Sequence, residues 1–167
     1  SLIADVDRAY EEYEPTRAGR LIQNFVTEEL SNWYVRLSRR RFWKGDFSTD
    51  KQSAYQTLYT CLKTISVLSA PIAPFYMDRL YRDLNAVTQK SKEDSVHLTS
   101  FPDVDESAID KDLEERMSLA QRITSMVLGL RKQEQIRVRQ PLQKIMIPVV
   151  DDNFVRRVSD VSEIILR

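Results

Sequence analysis

The chain is predicted to fold as a mainly α-helical protein. Its 167 residues include only three glycines, and apolar side chains recur every three to four residues in five long segments, which is the spacing of one helix face. The exception is a short run near the C-terminus, 145–150, where consecutive apolar residues favour a strand. We therefore predict a helical bundle over residues 1–142 and the start of a small α/β element over residues 143–167.

The first two predicted helices are separated by a proline. Apolar residues at helical spacing begin at Leu2, and Pro15 interrupts the pattern because proline has no N–H to donate within a helix. The second helix is predicted from about Thr16 to Trp43. Gly45 then provides a plausible end, since glycine readily adopts the left-handed conformation that terminates helices.

One face of this second helix changes character along its length. Its first part is an apolar stripe at helical spacing: Ala18, Ile22, Val26, Leu30, Trp33 and Leu37. The stripe then continues as cations: Arg36, Arg40 and Lys44. A face that is apolar and then cationic cannot be buried against one core over its whole length. We therefore expect the far end of the helix to overhang the core.

Capping residues and prolines delimit the third and fourth helices. Ser48 or Thr49 can cap the third helix, because a hydroxyl oxygen there accepts a hydrogen bond from a free backbone N–H of the first turn. Pro71 and Pro74 break or kink this helix. A fourth helical segment is predicted directly after them.

The remaining elements follow a polar connection over residues 86–105, which we expect to be extended and anchored by a few apolar side chains. A fifth, long helix carries apolar residues from Ile109 to Leu130 at nearly heptad spacing. After the predicted strand, Asp151 or Asp152 can cap a final helix.

Composition excludes several classes of function. One cysteine, Cys61, and one histidine, His97, cannot supply a structural zinc site, and the three dispersed glycines form no phosphate-binding loop. Cys61 lies among apolar neighbours and is predicted to be a core residue. We expect no catalytic residue, metal or cofactor in this chain.

Location and extent can also be predicted. No run of about 18 apolar residues is present, so we expect no membrane span, and a single cysteine fits a reducing, cytoplasmic compartment. The sequence begins without a methionine and within helical periodicity. We therefore expect it to be a piece of a longer protein.

Positive charge is concentrated in two short segments of a neutral chain. Its 25 Lys and Arg balance 25 Asp and Glu, but residues 36–44 carry five cations and no acid, and residues 131–144 carry five cations with Glu134. Arginine presents a planar fork to phosphate oxygens, and an aromatic such as Trp43 can stack on unpaired bases. We expect Trp33, which lies on the apolar stripe, in the core. Both segments are candidate nucleic-acid contacts; a solvated helix face is the alternative.

Five segments of the chain follow the pattern of a known family, and together they cover most of residues 1–150. The two most specific surround the cations: Leu30–Arg36 continued by Arg39–Trp43, and Ile136–Leu142. Three others agree in order: Leu68–Phe75, Ser95–Leu98 with Phe101-Pro102, and Leu130–Lys132. In these segments the chain resembles the anticodon-binding domain of isoleucyl-tRNA synthetases.

The resemblance implies a class I synthetase anticodon-binding helical bundle. Such a domain holds the anticodon arm of tRNA(Ile) and adjoins the catalytic domain of the same chain. The full-length enzyme activates isoleucine with ATP and Mg and joins it to tRNA, so the fragment alone is expected to be inactive. The predicted tRNA-binding residues are the family's basic positions together with Trp43 and Lys44, namely Arg36, Arg39, Arg40, Arg41, Trp43, Lys44, Arg131, Lys132, Arg137 and Arg139.

Two alternatives remain open from the sequence. The segment Leu68–Phe75 is shared more loosely with valyl, leucyl and methionyl relatives, so the same domain of one of those enzymes is the first alternative. A different class of protein is a non-catalytic helical interaction module whose basic end meets an acidic protein. Salt-dependent binding to folded tRNA separates this second class from the first.

Overall fold

In a computed structural model of the chain, residues 1–149 and 151–166 are described, and the prediction of a mainly α-helical fold is confirmed. Within those residues there is no β-strand. The α-helices are α1 (Leu2–Glu11), α2 (Pro15–Asn24), α3 (Arg39–Trp43), α4 (Thr49–Ser69), α5 (Pro74–Thr88), α6 (Lys111–Gln133), α7 (Asp152–Asp160) and α8 (Ser162–Ile165). A π-helical segment (Phe25–Val35) joins α2 to α3, and short 3₁₀ turns occur at Val96–Leu98 and Glu106–Ala108.

The chain forms two compact units, residues 1–105 and residues 106–167. The first contains α1 to α5, and the second contains α6 to α8. In the second unit, ion pairs from Arg116 to Asp160 (3.5 Å) and from Arg157 to Glu115 (2.8 Å) connect α6 with α7. The predicted domain boundary after residue 142 stays a prediction.

The core of the first unit is built from the apolar faces of α1, α2 and α4. Val6, Ala18 and Leu68 are fully buried there, and the cluster continues along the π-helical segment to Leu30. The hydroxyl of Tyr10 donates to the carbonyl oxygen of Leu68 at 2.8 Å, which ties α1 to the end of α4. Burial of apolar surface is the main favourable term that holds these helices together.

Helix ends follow the local signals in the sequence. Ser48, Asp110 and Asp151 each accept a hydrogen bond from a backbone N–H three residues later, at 3.2, 3.0 and 2.7 Å. Each satisfies a donor that would have no partner inside its helix. Pro74 is the first residue of α5, and Gly45, beyond the end of α3, has a positive φ of 73°. The starts and stops predicted at Ser48, Asp151, Pro74 and Gly45 are therefore confirmed, and the cap at Asp110 is an addition from the structure.

The predicted second helix is continuous only if a long π-helical segment is included. From Phe25 the chain forms wider turns, and the N–H of Arg36 donates to the carbonyl of Ser31, five residues earlier. Each residue then advances by less than the 100° of an α-helix. The inward face consequently moves by about one position. After Leu30 the fully buried residues of this stretch are Ser38 and Phe42, and Tyr34 packs against the core at the same four-residue spacing.

The strand predicted near the C-terminus is not found among the described residues. Ile145–Val149 forms no strand, and Val150 lies outside the described residues. Ile145 and Ile147 are half-buried while Met146 is 80% exposed, so the alternation of the sequence is present. A strand also requires a neighbour to pair with its N–H and C=O groups, and the described part of the chain offers none. The predicted α/β element is therefore not shown.

The polar connection after α5 is anchored through one carboxylate. Asp78 accepts hydrogen bonds from the Ser95 hydroxyl (2.6 Å) and the Val96 N–H (3.0 Å), and it pairs with Arg82 at 2.8 Å. The Ser95 hydrogen bond is the main reason why the pKa of Asp78 lies below its ordinary value. Val96 is buried against Tyr81. Of the apolar residues expected to anchor this connection, Leu98 instead remains exposed.

Among the described residues, no helix combines the length and the apolar composition that a membrane span requires.

Candidate nucleic-acid interface

The first basic segment, residues 36–44, presents most of its cations to solvent. Arg36, Arg39, Arg40 and Lys44 are exposed. No ion pair or hydrogen bond joins any of these four side chains to another residue within 1–149 and 151–166. Unpaired, solvated cations are free to exchange their hydration for phosphate oxygens of a ligand.

Arg41 is the exception within this segment. Its Nε and Nη2 donate to the two carboxylate oxygens of Asp50 at 2.8 and 2.7 Å, and Nη2 also donates to the backbone oxygen of Asp50 at 3.1 Å. This bidentate geometry is the one in which arginine pairs most strongly with a carboxylate. The hydrogen bond to Asp50 raises the pKa of Arg41 above its ordinary value. Arg41 therefore braces the connection between α3 and α4.

The basic end of the helix is anchored to α4, so the predicted overhang is wrong. Phe42 is buried between the rings of Tyr34 (6.3 Å between centroids) and Tyr55 (5.2 Å). The Tyr55 hydroxyl donates to the carbonyl of Phe42 at 3.2 Å, and that of Tyr34 donates to the carbonyl of Ala54 at 3.0 Å. The π-helical shift in the inward face is what brings these aromatics to α4. The exposed cations consequently lie on a helix that is packed against α4.

Two large aromatic side chains are exposed beside these cations. Trp43 is 79% exposed at the end of α3, and Phe47 is 73% exposed on the connection to α4. Trp33, expected in the core, is only half-buried. The sequence reasoning identified Trp43 but missed Phe47. Phe47 lies two residues after Gly45, in the short connection between Trp43 and Thr49.

In the second basic segment, residues 131–144, one of the arginines is also turned inward. Nη1 of Arg131 donates to the carbonyl oxygens of Arg137 and Gln140, both at 3.0 Å, and so closes the turn that follows α6. Lys132, Arg137 and Arg139 are exposed. With Lys144, four cations of this segment are therefore exposed, and Arg131 supports the backbone that presents Arg137 and Arg139.

Neither metal binding nor nucleophilic catalysis has a visible basis in the described residues. They hold no group of three or more His, Cys, Asp or Glu side chains that could bind a metal ion. Cys61 is half-buried against the core of the first unit, and burial raises the pKa of its thiol. A raised pKa leaves less of the reactive thiolate at neutral pH. The chemistry that the structure offers is contact through cations and aromatic faces.

Residues 1–146 match the family described as the anticodon-binding domain of tRNA ligase. The chain is 57% identical over 165 residues to an isoleucine–tRNA ligase of Cytophaga hutchinsonii. The matched region covers 99% of this chain and 15% of that protein. It is 62% identical over 152 residues to that of Bacteroides fragilis (91% and 13%) and 57% identical over 166 residues to that of Porphyromonas gingivalis (99% and 14%). The chain thus spans about one seventh of the length of these relatives. The resemblance found in the sequence is confirmed, and the chain belongs to the family of anticodon-binding domains of tRNA ligases.

Proposed function

We propose that this chain holds the anticodon arm of tRNA(Ile) as part of an isoleucine–tRNA ligase. Family membership supports tRNA as the partner, and the names of the relatives support isoleucine as the amino acid. The observation that carries the proposal is the set of exposed cations in residues 36–44 that have no partner among the described residues. Such a set matches the regular negative charge of an RNA backbone.

The predicted residues take two roles, and the two basic segments are considered separately. Phosphate contacts come from the exposed cations of each segment: Arg36, Arg39, Arg40 and Lys44 in the first, and Lys132, Arg137 and Arg139 in the second. Arg41 and Arg131 act as positioning residues, since their guanidinium groups are already hydrogen-bonded to backbone or carboxylate oxygens. Trp43 supplies an aromatic face next to the cations.

The chemistry of the whole protein lies outside this chain in our proposal. We infer that a catalytic domain of the same chain binds ATP with Mg, activates isoleucine and joins it to tRNA. The short share of the relatives that this chain covers supports such a partner domain. A cytoplasmic location follows from a role in translation.

The proposal is tested by charging assays with the full-length protein. We expect tRNA(Ile) to be charged with isoleucine, and valine, leucine or methionine to be accepted far less well. The 167-residue chain by itself should support no isoleucine-dependent exchange of ATP and pyrophosphate. Preferred charging with one of the other three amino acids would overturn the assignment of isoleucine. Failure to bind folded tRNA would overturn the proposal as a whole.

A further inference from the structure

One end of the first unit exposes several large apolar side chains. Tyr13, between α1 and α2, is 92% exposed, and Phe75 and Tyr76, at the start of α5, are 91% and 69% exposed. Ile72, in the turn before α5, is 46% exposed. Single exposed apolar residues are ordinary, whereas several in one place mark an interaction surface. We call these four residues, Tyr13, Ile72, Phe75 and Tyr76, the apolar end.

Contacts between the helices bring the members of the apolar end to the same side of the unit. The hydroxyl of Tyr10 donates to the carbonyl oxygen of Leu68, and a Cβ added at Gly19 would lie 3.5 Å from Cδ1 of Ile72. Tyr13 lies between Tyr10 and Gly19 in sequence, so the α1–α2 connection adjoins the turn before α5. The helical stretch from residue 15 to residue 43 then carries the chain roughly 40 Å away to the first basic segment.

Tyr13 occupies a backbone position that favours glycine. Its φ is 57°, and the N–H groups of Tyr13 and Glu14 donate to the carbonyls of Tyr10 (3.0 Å) and Ala9 (2.8 Å). This is the pattern in which a left-handed residue closes a helix, and any side chain with a Cβ is strained there. The ring of Tyr13 gains no burial in return, because it is almost fully exposed. A contact outside the described residues explains such a side chain better than local stability does.

The charges around the apolar end fit a protein partner and disfavour RNA. Residues 64–77, which include three of its four members, contain no charged side chain. Tyr13 is flanked by exposed glutamates, Glu11, Glu12 and Glu14, of which Glu12 pairs with Arg17 at 2.6 Å. Carboxylates repel the phosphates of an RNA backbone. A centre depleted of charge with charged groups at its border is instead the composition of a protein–protein interface.

We propose that the apolar end is the surface on which the catalytic domain of the same polypeptide docks, through an apolar patch bordered by cations. This inference rests on the proposed function and deepens it, because it assigns the contact between the domains to four residues. The chain spans about one seventh of the length of its relatives, and a linked domain meets the surface at a high effective concentration. A second copy of the chain fits less well, since a two-fold contact would place the same glutamates opposite each other.

Hydroxyl-radical footprinting of the full-length protein and of the 167-residue chain, both without RNA, tests the assignment. We expect Phe75 and Tyr76 to be oxidised at least about five-fold more slowly in the full-length protein, because a docked domain excludes water from them. Phe47, 73% exposed at the opposite end of the helical stretch, is the internal control and should react equally in both. Equal oxidation of Phe75 and Tyr76 in the two proteins would overturn the docking surface. Protection that needs tRNA, or that rises with the concentration of the 167-residue chain, would also overturn it, since RNA or a second copy is then the occupant.

Variants separate the docking role from a structural one. Phe75→Ala combined with Tyr76→Ala should leave the melting of the 167-residue chain unchanged, because both rings are exposed. In the full-length protein this double variant should slow the charging of tRNA(Ile) at least about five-fold, as for a residue that matters in an interface, and leave isoleucine-dependent exchange of ATP and pyrophosphate unchanged. Val87→Ala, at a position of α5 that is 86% exposed, is the matched control and should change neither activity.

Tyr13→Gly distinguishes a contact residue from a fold residue. It should raise the melting temperature of the 167-residue chain by about 2 °C, because the strain is removed, and yet slow charging by the full-length protein. A lower melting temperature would show that Tyr13 serves the fold. Wild-type charging by Tyr13→Gly and by the double variant would overturn the docking surface and leave the proposed function standing. A wild-type protein that charges no tRNA(Ile) would overturn the proposed function, whatever the footprint shows.

Discussion

The two basic segments of the molecule are alike in charge, but the inward arginine of each binds a different kind of partner. Residues 36–44 follow a π-helical segment and rest on buried aromatics, and residues 131–139 cover the end of α6 and the turn after it. In each, one arginine turns back onto the protein. Arg41 binds a carboxylate and a carbonyl of Asp50, while Arg131 binds two backbone carbonyls.

A count of cations in the sequence overestimates the charge that is available to a ligand. Of the five cations in residues 36–44, four are exposed without a partner in the described chain, and Arg41 supports the connection. In residues 131–139, Lys132, Arg137 and Arg139 are exposed and Arg131 closes the turn. Replacing the exposed cations should therefore change RNA binding. Replacing Arg41 should lower the stability of the fold, and replacing Arg131 should loosen only the turn after α6.

The largest effect is expected from removing exposed cations of the first segment. Arg36→Ala, Arg40→Ala and Lys44→Ala should each weaken RNA binding and lower the salt slope of the binding constant by about one per contact. The triple variant should lower it by about three. Folding stability should change by no more than about 0.5 kcal/mol per site, as is usual on the surface. Affinity at two or more salt concentrations measures the slope, and thermal melting measures the stability.

The control for this prediction is Arg20→Ala, an exposed cation near the beginning of the same helical stretch. The salt slope of RNA binding by this variant should equal that of the wild type. A triple variant with normal melting, normal affinity and an unchanged slope would show that these cations are only a solvated surface.

The next effect is on stability and concerns Arg41. Arg41→Ala removes a bidentate ion pair and a hydrogen bond to a backbone oxygen. The pair is partly exposed, so we expect a loss of about 1 kcal/mol, which corresponds to about 2–4 °C in melting temperature for a chain of this size. Arg40→Ala, at the neighbouring exposed position, should melt normally.

A double-mutant cycle with Asp50→Ala sharpens this prediction. The double variant should be destabilised by less than the sum of the two single variants, because both remove the same interaction. Strict additivity, or an Arg41→Ala variant as stable as Arg40→Ala, would mean that Arg41 does not brace the connection.

Arg131 should give a smaller and more local effect. Its two hydrogen bonds hold only the turn that ends near Gln140. In Arg131→Ala we expect amide hydrogen exchange across residues 136–140 to accelerate about tenfold, while the melting temperature stays the same. Lys132→Ala is the control and should leave exchange unchanged. Unaltered exchange in Arg131→Ala would indicate that the turn holds itself together.

The smallest effect concerns pH and the Asp78 anchor. Its pKa is lowered in the folded state, chiefly by the hydrogen bond from Ser95. The unfolded chain therefore binds this proton first as pH falls below about 4, and the free energy of unfolding decreases with falling pH. In Asp78→Asn this contribution is absent, so stability should fall less steeply in acid. Denaturant unfolding between neutral and acidic pH measures the difference. If the free energy of unfolding depends on pH in the same way in Asp78→Asn and the wild type, Asp78 does not contribute as proposed.

Much of the fold could be predicted because helix ends depend on nearby residues. The caps at Ser48, Asp110 and Asp151 act over three residues, and Pro74 acts on the turn that contains it. Such interactions are complete within one segment of sequence. The same locality explains why the exposed cations of both basic segments could be identified without a structure.

The two wrong predictions, the strand and the overhang, concern features that depend on more than the local sequence pattern. The strand after Lys144 was predicted from its composition, but pairing needs a second strand. The overhang was predicted from a uniform 100° periodicity, which the π-helical segment Phe25–Val35 does not follow. Phe42 and Tyr55 then meet across α3 and α4.

The sequence by itself determined that this protein is helical, where several of its helices begin or end, which segments carry excess positive charge and which family it resembles. Only the tertiary structure decided which side chains of those segments remain available to a ligand. Arg41 is engaged because the chain turns at Gly45 and brings Asp50 back to it, and Trp43 and Phe47 are exposed because the same turn leaves them outside the packed faces. Availability depends on what lies around a side chain in space, and residue type alone does not specify those surroundings.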